Sequence, residues 1–294
     1  MLSYLRAAGV LKDKNSKILV PPWLGYWVYN VMHRHGFPVL HPDPEVRVAV
    51  VYHQYGFPQD MDAIRDYAAP NRVVLIEDCA HSLMGAYRGT ALGSFGRAGV
   101  FSYSKFVPSL IGGAVRSADE ELRAHVRNLE KRGSRAIGWL SLAVKLALEH
   151  ESKARKSPSL AVRINELSYA GYPYARRVWL ADRLHAGLRL EEELHARRRN
   201  YALYRRLLPA FEEIQAFAED VSPYVLPLLG PPIETLRGIA AALRQDGIAT
   251  GIYSFDTHRN LFDPQYQPCV WLPVHSGITE ERVERIAEIV RRHA

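Results

Sequence analysis

The chain has 294 residues, 48% of them hydrophobic and 23% charged, with a net charge of +7; this is ordinary material for one large domain, alone or with a smaller one, and excludes a low-complexity chain. Two cysteines, Cys79 and Cys269, are too few for a disulfide framework or a four-cysteine metal site. No nucleic-acid recognition motif accompanies the basic balance, so no nucleic-acid partner is expected: Arg197, Arg198, Arg199, Arg205 and Arg206 sit among Glu191, Glu192 and Glu193 at helical spacing, as on a solvated helix face.

With so few cysteines a cytoplasmic, reducing setting is expected; the opening MLSYLRAAGVLKDKN has no uninterrupted apolar core of the length a signal peptide needs. Lys17 to Val20 reads as a short strand halted by Pro21-Pro22, and Leu24 to His35 as a helix closed by Gly36. A second strand is expected near Val39. Val46 to Tyr52 (VRVAVVY) is β-branched and nearly continuous, as a strand buried on both faces is. Met61 to Ala69 follows as a helix with Asp60 placed to cap it, then Val73 to Glu77 as another buried strand ending at polar Asp78. Gly99 to Tyr103 and Gly113 to Arg116 complete the set. Alternating helices and continuous apolar strands predict an α/β fold, a mostly parallel sheet sandwiched by helices, with ligands at the carboxyl ends of its strands.

From Glu120 to Glu213 the pattern is helical, with an insertion over about 131–168. Its most apolar run, Ala136 to Leu148, contains Lys145 and is too short to cross a bilayer; it reads as a buried helix or an interfacial one. No stretch approaches the roughly 20 apolar residues of a membrane span. A smaller α+β unit is expected at the end, with strands over Val225 to Leu229 and Ile248 to Tyr253. Its helices are placed at Ile233 to Gln245 and Thr279 to Arg292. The expected division is 1–205 and 206–294.

The chemistry concentrates in Val74 to Val115, VLIEDCAHSLMGAYRGTALGSFGRAGVFSYSKFVPSLIGGAV. Glu77-Asp78-Cys79-Ala80-His81 stands at one strand end, and Phe101-Ser102-Tyr103-Ser104-Lys105 follows another, ahead of Gly112-Gly113. Tyr52-His53-Gln54-Tyr55-Gly56 with Asp60-Met61-Asp62-Ala63-Ile64 lies upstream, and Leu272-Pro273-Val274-His275-Ser276-Gly277 lies near the end. In this order the four segments resemble the DegT/DnrJ/EryC1/StrS family of pyridoxal-phosphate (PLP) sugar aminotransferases. The resemblance implies the type I fold of PLP enzymes and a homodimer with sites at its interface. It also implies transamination of a keto sugar, nucleotide-linked, with glutamate as donor. It makes Lys105 the Schiff-base and catalytic lysine, Asp78 the partner of the ring nitrogen, His81 a residue lining the ring and Ser102 a phosphate ligand. His53 and His258 are weaker substrate-side residues, and no metal is implied.

The residue types suit those roles. A lysine amine condenses with an aldehyde and then serves as acid and base, while a carboxylate keeps a pyridine nitrogen protonated. A hydroxyl beside free backbone N–H groups suits an anion. Each residue also has a plainer reading. Lys105 is then a solvent-facing charge, Asp78 a loop cap, His53 a structural hydrogen-bonder, Cys79 a packed side chain and Gly112-Gly113 a backbone requirement.

The chain departs from the family where phosphate and ring are held. No Ser-Gly-Thr turn precedes the first strand, and the residue aligned with the ring-stacking aromatic is Gly25, leaving Trp23, Tyr26 or Trp27 as substitutes. The partner-facing Asn and Arg align with Pro173 and Ala175, with Arg176 or Arg177 near by. Two readings fit: a compact aminotransferase, or a non-catalytic homologue acting as a binding or partner subunit. A dehydratase variant of the chemistry is opposed by Lys105, since the family usually replaces that lysine with His for it.

Overall fold

The computed structural model describes residues 1–106, 112–154, 175–176, 178, 183, 189–210 and 221–294. Six strands form the central sheet: β1 (Lys17–Leu19), β2 (Phe37–Val39), β3 (Val46–Tyr52), β4 (Val74–Asp78), β7 (Ala98–Ser102) and β8 (Gly113–Arg116), in the order β2-β1-β3-β4-β7-β8. A two-stranded hairpin, β5 (Ala86–Tyr87) and β6 (Thr90–Ala91), lies outside it. All neighbours in the large sheet are parallel except β7 and β8.

Strand alternation makes this sheet the middle of three layers. Val48 and Val50 point into one core with Ile76, Met32 from α2 (Tyr26–His33), Leu2 and Leu5 from α1 (Leu2–Ala7), and Leu122 from α4 (Glu120–Arg132). Ala49 and Val51 point the other way, onto Met61, Ile64 and Ala68 of α3 (Met61–Ala68). Two-sided burial is the reason β3 reads as a continuous apolar run. Asp60 does cap α3, its carboxylate accepting from the Ala63 N–H at 3.2 Å. Helix α5 (Arg135–Ala154) follows α4.

The last part of the chain builds a second core on an antiparallel sheet, β10-β11-β9, made of β9 (Val225–Leu228), β10 (Ile252–Asp256) and β11 (Tyr266–Pro273). Helices α7 (Ile233–Gln245) and α8 (Glu280–His293) pack there through Leu236, Ile239, Val283 and Ile286. Thr279 caps α8, accepting from the Arg282 N–H at 3.3 Å. Helix α6 (Leu190–Leu207) adds Tyr201 and Tyr204 to this core, so residue 205 falls inside a helix that serves it.

One expected element moves. The strand foreseen at Ile248 to Tyr253 begins at Ile252. Ile248 belongs instead to the end of α7: Gly247 is left-handed (φ 82°), and the Ile248 N–H donates back to the Leu243 carbonyl at 2.9 Å. A buried apolar residue just past a helix-ending glycine is a cap contact.

The two units are joined at the turn after β3. Tyr55 and Gly56 both have positive φ, and a Cβ on Gly56 would lie 2.0 Å from the Ser222 carbonyl oxygen. The Gln54 side chain donates to the Ser254 carbonyl at 2.7 Å and accepts from the Asp256 N–H at 3.0 Å. Tyr55 donates its hydroxyl to the same Ser254 carbonyl, and its own carbonyl accepts from the Tyr224 N–H.

Candidate active site

Asp78 is the last residue of β4 and Ser102 the last of β7, one strand away, and their segments pair with Asp78 opposite Val100. Both line one cavity of about 490 Å³, closed by Val50, Ile76 and Val115 of the sheet and by Val28, Met32 and His35 at α2. That volume lies within the range of small-molecule sites, about 300–1,000 Å³. Burial pushes the Asp78 carboxyl up, against the Ala80 N–H bond and the charge of Lys105; the net displacement is upward. The Ser102 hydroxyl lies 3.3 Å from that of Ser104.

Lys105 closes the short 3₁₀ turn Tyr103–Lys105 that follows β7. It is exposed and outside the cavity wall, yet its charge reaches both Asp78 and His81. The Gly112-Gly113 requirement becomes concrete here. Gly112 has φ 122° and its carbonyl accepts from Tyr103, while a Cβ on Gly113 would meet the Phe101 carbonyl oxygen at 2.3 Å. Side chains at either position would push β8 away from the lysine turn.

His81 is almost fully buried. Its ring stacks on Tyr224 with centroids 4.0 Å apart, and its Nδ1 meets the Tyr52 hydroxyl at 2.5 Å. Burial first, then the charges of Lys105 and Arg197, lower its pKa well below the usual histidine range, so it stays neutral. Glu77, its neighbour on the buried side of β4, is a hub: one carboxylate oxygen accepts from the Phe95 and Gly96 N–H groups, the other from the Gly93 N–H and His53 Nε2. Burial raises the Glu77 pKa, but the His53 contact and the Gly96 and Gly93 N–H groups outweigh it and hold the acid below its ordinary value.

Several expected roles are corrected. His53 has no accessible surface; Nδ1 accepts from the Gln59 N–H at 3.1 Å, so Nε2 carries the hydrogen given to Glu77. With both nitrogens used inside the protein, it holds the strand ends together and does not meet substrate. His53, Glu77 and Cys79 bring their donor atoms within 4.8 Å of one another, a spacing a metal ion could use, but these hydrogen bonds already occupy the carboxylate and the imidazole. His258 is exposed, turned toward the Asp263 carbonyl at 3.1 Å, and is outside the cavity wall. Trp23 is 54% exposed with Tyr266 as its ring neighbour at 6.4 Å, and it is not among the residues lining this cavity. The side chains of Tyr26 and Trp27, and residues Pro173 and Arg177, lie outside the described residues.

Arg197 is the residue that the sequence pattern misassigns. It is 4% exposed rather than solvated, paired with Glu193 at 2.6 Å and laid over the rings of Phe106 and Tyr224. Its guanidinium also donates to the Tyr224 carbonyl at 2.8 Å and reaches the Lys105 carbonyl at 3.5 Å. The lysine turn is thereby tied to α6 and to the second unit. The only trace of this in sequence is the Glu193–Arg197 spacing, which exposed helices share.

Residues 43–291 match the DegT/DnrJ/EryC1/StrS aminotransferase family. The chain belongs to that family. It is 28% identical over 271 residues to the UDP-N-acetyl-3-dehydro-alpha-D-glucosamine 3-aminotransferase of Acidithiobacillus ferrooxidans, a match covering 85% of this chain and 65% of that protein. It is 34% identical over 146 residues to the L-glutamine:scyllo-inosose aminotransferase of Streptomyces griseus, covering 47% of this chain and 34% of that one. The chain thus spans less than two thirds of the length of these relatives. Among solved structures, DesI with its TDP-sugar product superposes at TM-score 0.67 and 18% identity, over 99% of this chain and 78% of that one. A family member from Brucella abortus gives 0.65 and 18%, over 98% and 81%. These structures share the fold, the expected α/β sheet sandwiched by helices.

The family's cofactor is PLP. The residues present suit its two reactive ends: a desolvated carboxylate on the cavity wall for the pyridine nitrogen, and, for the aldehyde, Lys105 on the turn that continues β7 past the cavity residue Ser102. Ser102 brings a hydroxyl to the same cavity for the phosphate.

Proposed function

We propose that the chain is a PLP-dependent aminotransferase acting on a keto sugar, nucleotide-linked, with Lys105 as its catalytic residue. The observation that carries this reading is the cavity wall shared by Asp78 and Ser102, with the Lys105 charge felt at Asp78. PLP, when bound, supplies an electron sink that stabilises negative charge on the substrate carbon. Asp78 would keep the ring nitrogen protonated, and its raised proton affinity suits that pairing. Lys105 Nζ would carry the proton between the substrate carbon and the cofactor. His81, neutral and held by Tyr52, would border the ring without adding charge. Ser102 would hold the phosphate.

The sugar class is supported by the names of the relatives above. Glutamate is the proposed donor from the family resemblance; L-glutamine, named in the Streptomyces relative, is the alternative that a donor assay separates. The same reading includes a homodimer, a reducing compartment in keeping with two buried free cysteines, and two functional units, a large cofactor-binding one and a small C-terminal one.

Purified protein with saturating PLP is expected to show an absorbance band near the visible edge, absent in Lys105→Ala. Amino transfer to a UDP-linked keto sugar is expected from glutamate, and only from the wild type. A wild type with no band would sink this reading in favour of a non-catalytic binding subunit.

A further inference from the structure

Helix α5 carries its apolar side outward. Ala136, Trp139, Leu140, Ala143, Leu146 and Ala147 recur at the three- and four-residue spacing of one helix face, and all six are exposed, Leu140 at 63% and Leu146 at 49%. The buried side is instead the one bearing Gly138, Ser141 and Leu142. It is pressed so closely on the chain that a Cβ on Gly138 would lie 2.1 Å from the Arg176 carbonyl oxygen. The Arg176 N–H also donates to the Ser134 carbonyl just ahead of the helix. These contacts fix the rotation of α5, so the apolar face is not one that turns inward when the helix rolls. Lys131, Arg132 and Arg135 stand exposed at its N-terminal end, and no acidic residue occurs from 131 through 148.

We propose that this face docks on an anionic lipid surface, with α5 lying in the interface plane. Helices that bind in this way combine a Leu and Trp face with flanking Lys and Arg, and Trp favours the depth of the headgroups. The helix does not span: no described helix is long and apolar enough to cross a membrane, and α5 is anchored to the protein along its opposite side. A second copy of the chain is the poorer occupant. A stripe in which three of six residues are alanine offers little toward the roughly 800 Å² per partner of a stable interface.

Flotation of the purified full chain with lipid vesicles tests this. The wild type is expected to float with vesicles of equal parts phosphatidylcholine and phosphatidylglycerol and to stay down with phosphatidylcholine alone. Binding should weaken as salt rises from about 0.1 M to about 1 M, which shortens the screening length from about 10 Å to about 3 Å. Leu140→Ser with Leu146→Ser, at exposed positions, should lower partitioning by at least about tenfold with melting temperature and sedimentation coefficient unchanged. If that pair fails to fold, Ala143→Glu puts a carboxylate in the middle of the stripe at a helix-compatible position and should give the same loss. Wild type that does not float with anionic vesicles overturns the proposal. So does undiminished binding by a folded variant, or a variant that halves the sedimenting mass, which would assign the face to a second copy.

Discussion

Replacing Glu77 with glutamine tests whether its carboxylate organises the strand ends around Asp78. The side-chain shape is kept, so the effect isolates hydrogen-bond polarity. The amide oxygen can still accept from Phe95 and Gly96, but the amide nitrogen then faces the Gly93 N–H, which now donates to a carboxylate oxygen at 2.7 Å. His53 cannot resolve the conflict by moving its hydrogen, because Nδ1 would then face the Gln59 N–H as a second donor. At least one buried N–H loses its acceptor, costing about 1–3 kcal/mol, and the lost charge-assisted bonds bring the total to about 2–4 kcal/mol. For a chain of this size that is a fall in melting temperature of roughly 3–6 °C. Because the folded-state pKa of Glu77 is depressed, its stabilisation is complete above the unfolded value, near about 4.3, and is lost as pH falls through the folded one. Thermal melts of both proteins at neutral pH and at successively lower pH provide the check. A variant that melts with the wild type at pH 7, or a gap that does not close in acid, refutes the hub.

Three further outcomes follow from the same geometry. His81 is buried neutral, with a folded pKa below the unfolded value of about 6.5, so stability present above that pH is lost as pH falls below it, by at most about 1.4 kcal/mol per pH unit; His81→Gln should flatten the pH 7.5 to 5.5 stability difference in denaturant titrations. Arg197→Met leaves Glu193 without its buried partner and frees the lysine turn, and should cost about 3–5 kcal/mol with faster amide exchange over residues 103–106. Gly56→Ala combines positive φ with a 2.0 Å approach to Ser222, and should destabilise by more than about 2 kcal/mol, measured by chemical unfolding.

What sequence reveals here tracks how local the physical cause is. Strand β3 and the end of β4 are legible because burial on both faces leaves an unbroken apolar run and then a polar break at Asp78. Asp60 and Thr279 are legible because a cap is decided within three residues. Strand β11 is obscured by Pro268 and Pro273, which the pattern marks as breaks although both sit in the paired strand. Helix α1 carries no side-chain cap to announce it. Arg197 and the Tyr224–His81 stack depend on partners far along the chain, and nothing at those positions separates them from a solvated face or a loop aromatic. His53 shows the limit at a single residue: its motif points to the site, but only its two partners show that it faces inward.

The clasp between Gln54 and Ser254 closes a sequence separation of 200 residues. A ribosome has therefore delivered the whole central sheet, with Asp78 and Lys105 already in place, long before the strand that locks the neighbouring turn is available. Until then the left-handed backbone at Tyr55 and Gly56 has nothing to hold it, and the apolar rings of Tyr55 and Phe57 stand uncovered. During that interval this apolar surface is open to wrong partners, and the contacts that Tyr224 and Arg197 bring to the site are still to be made.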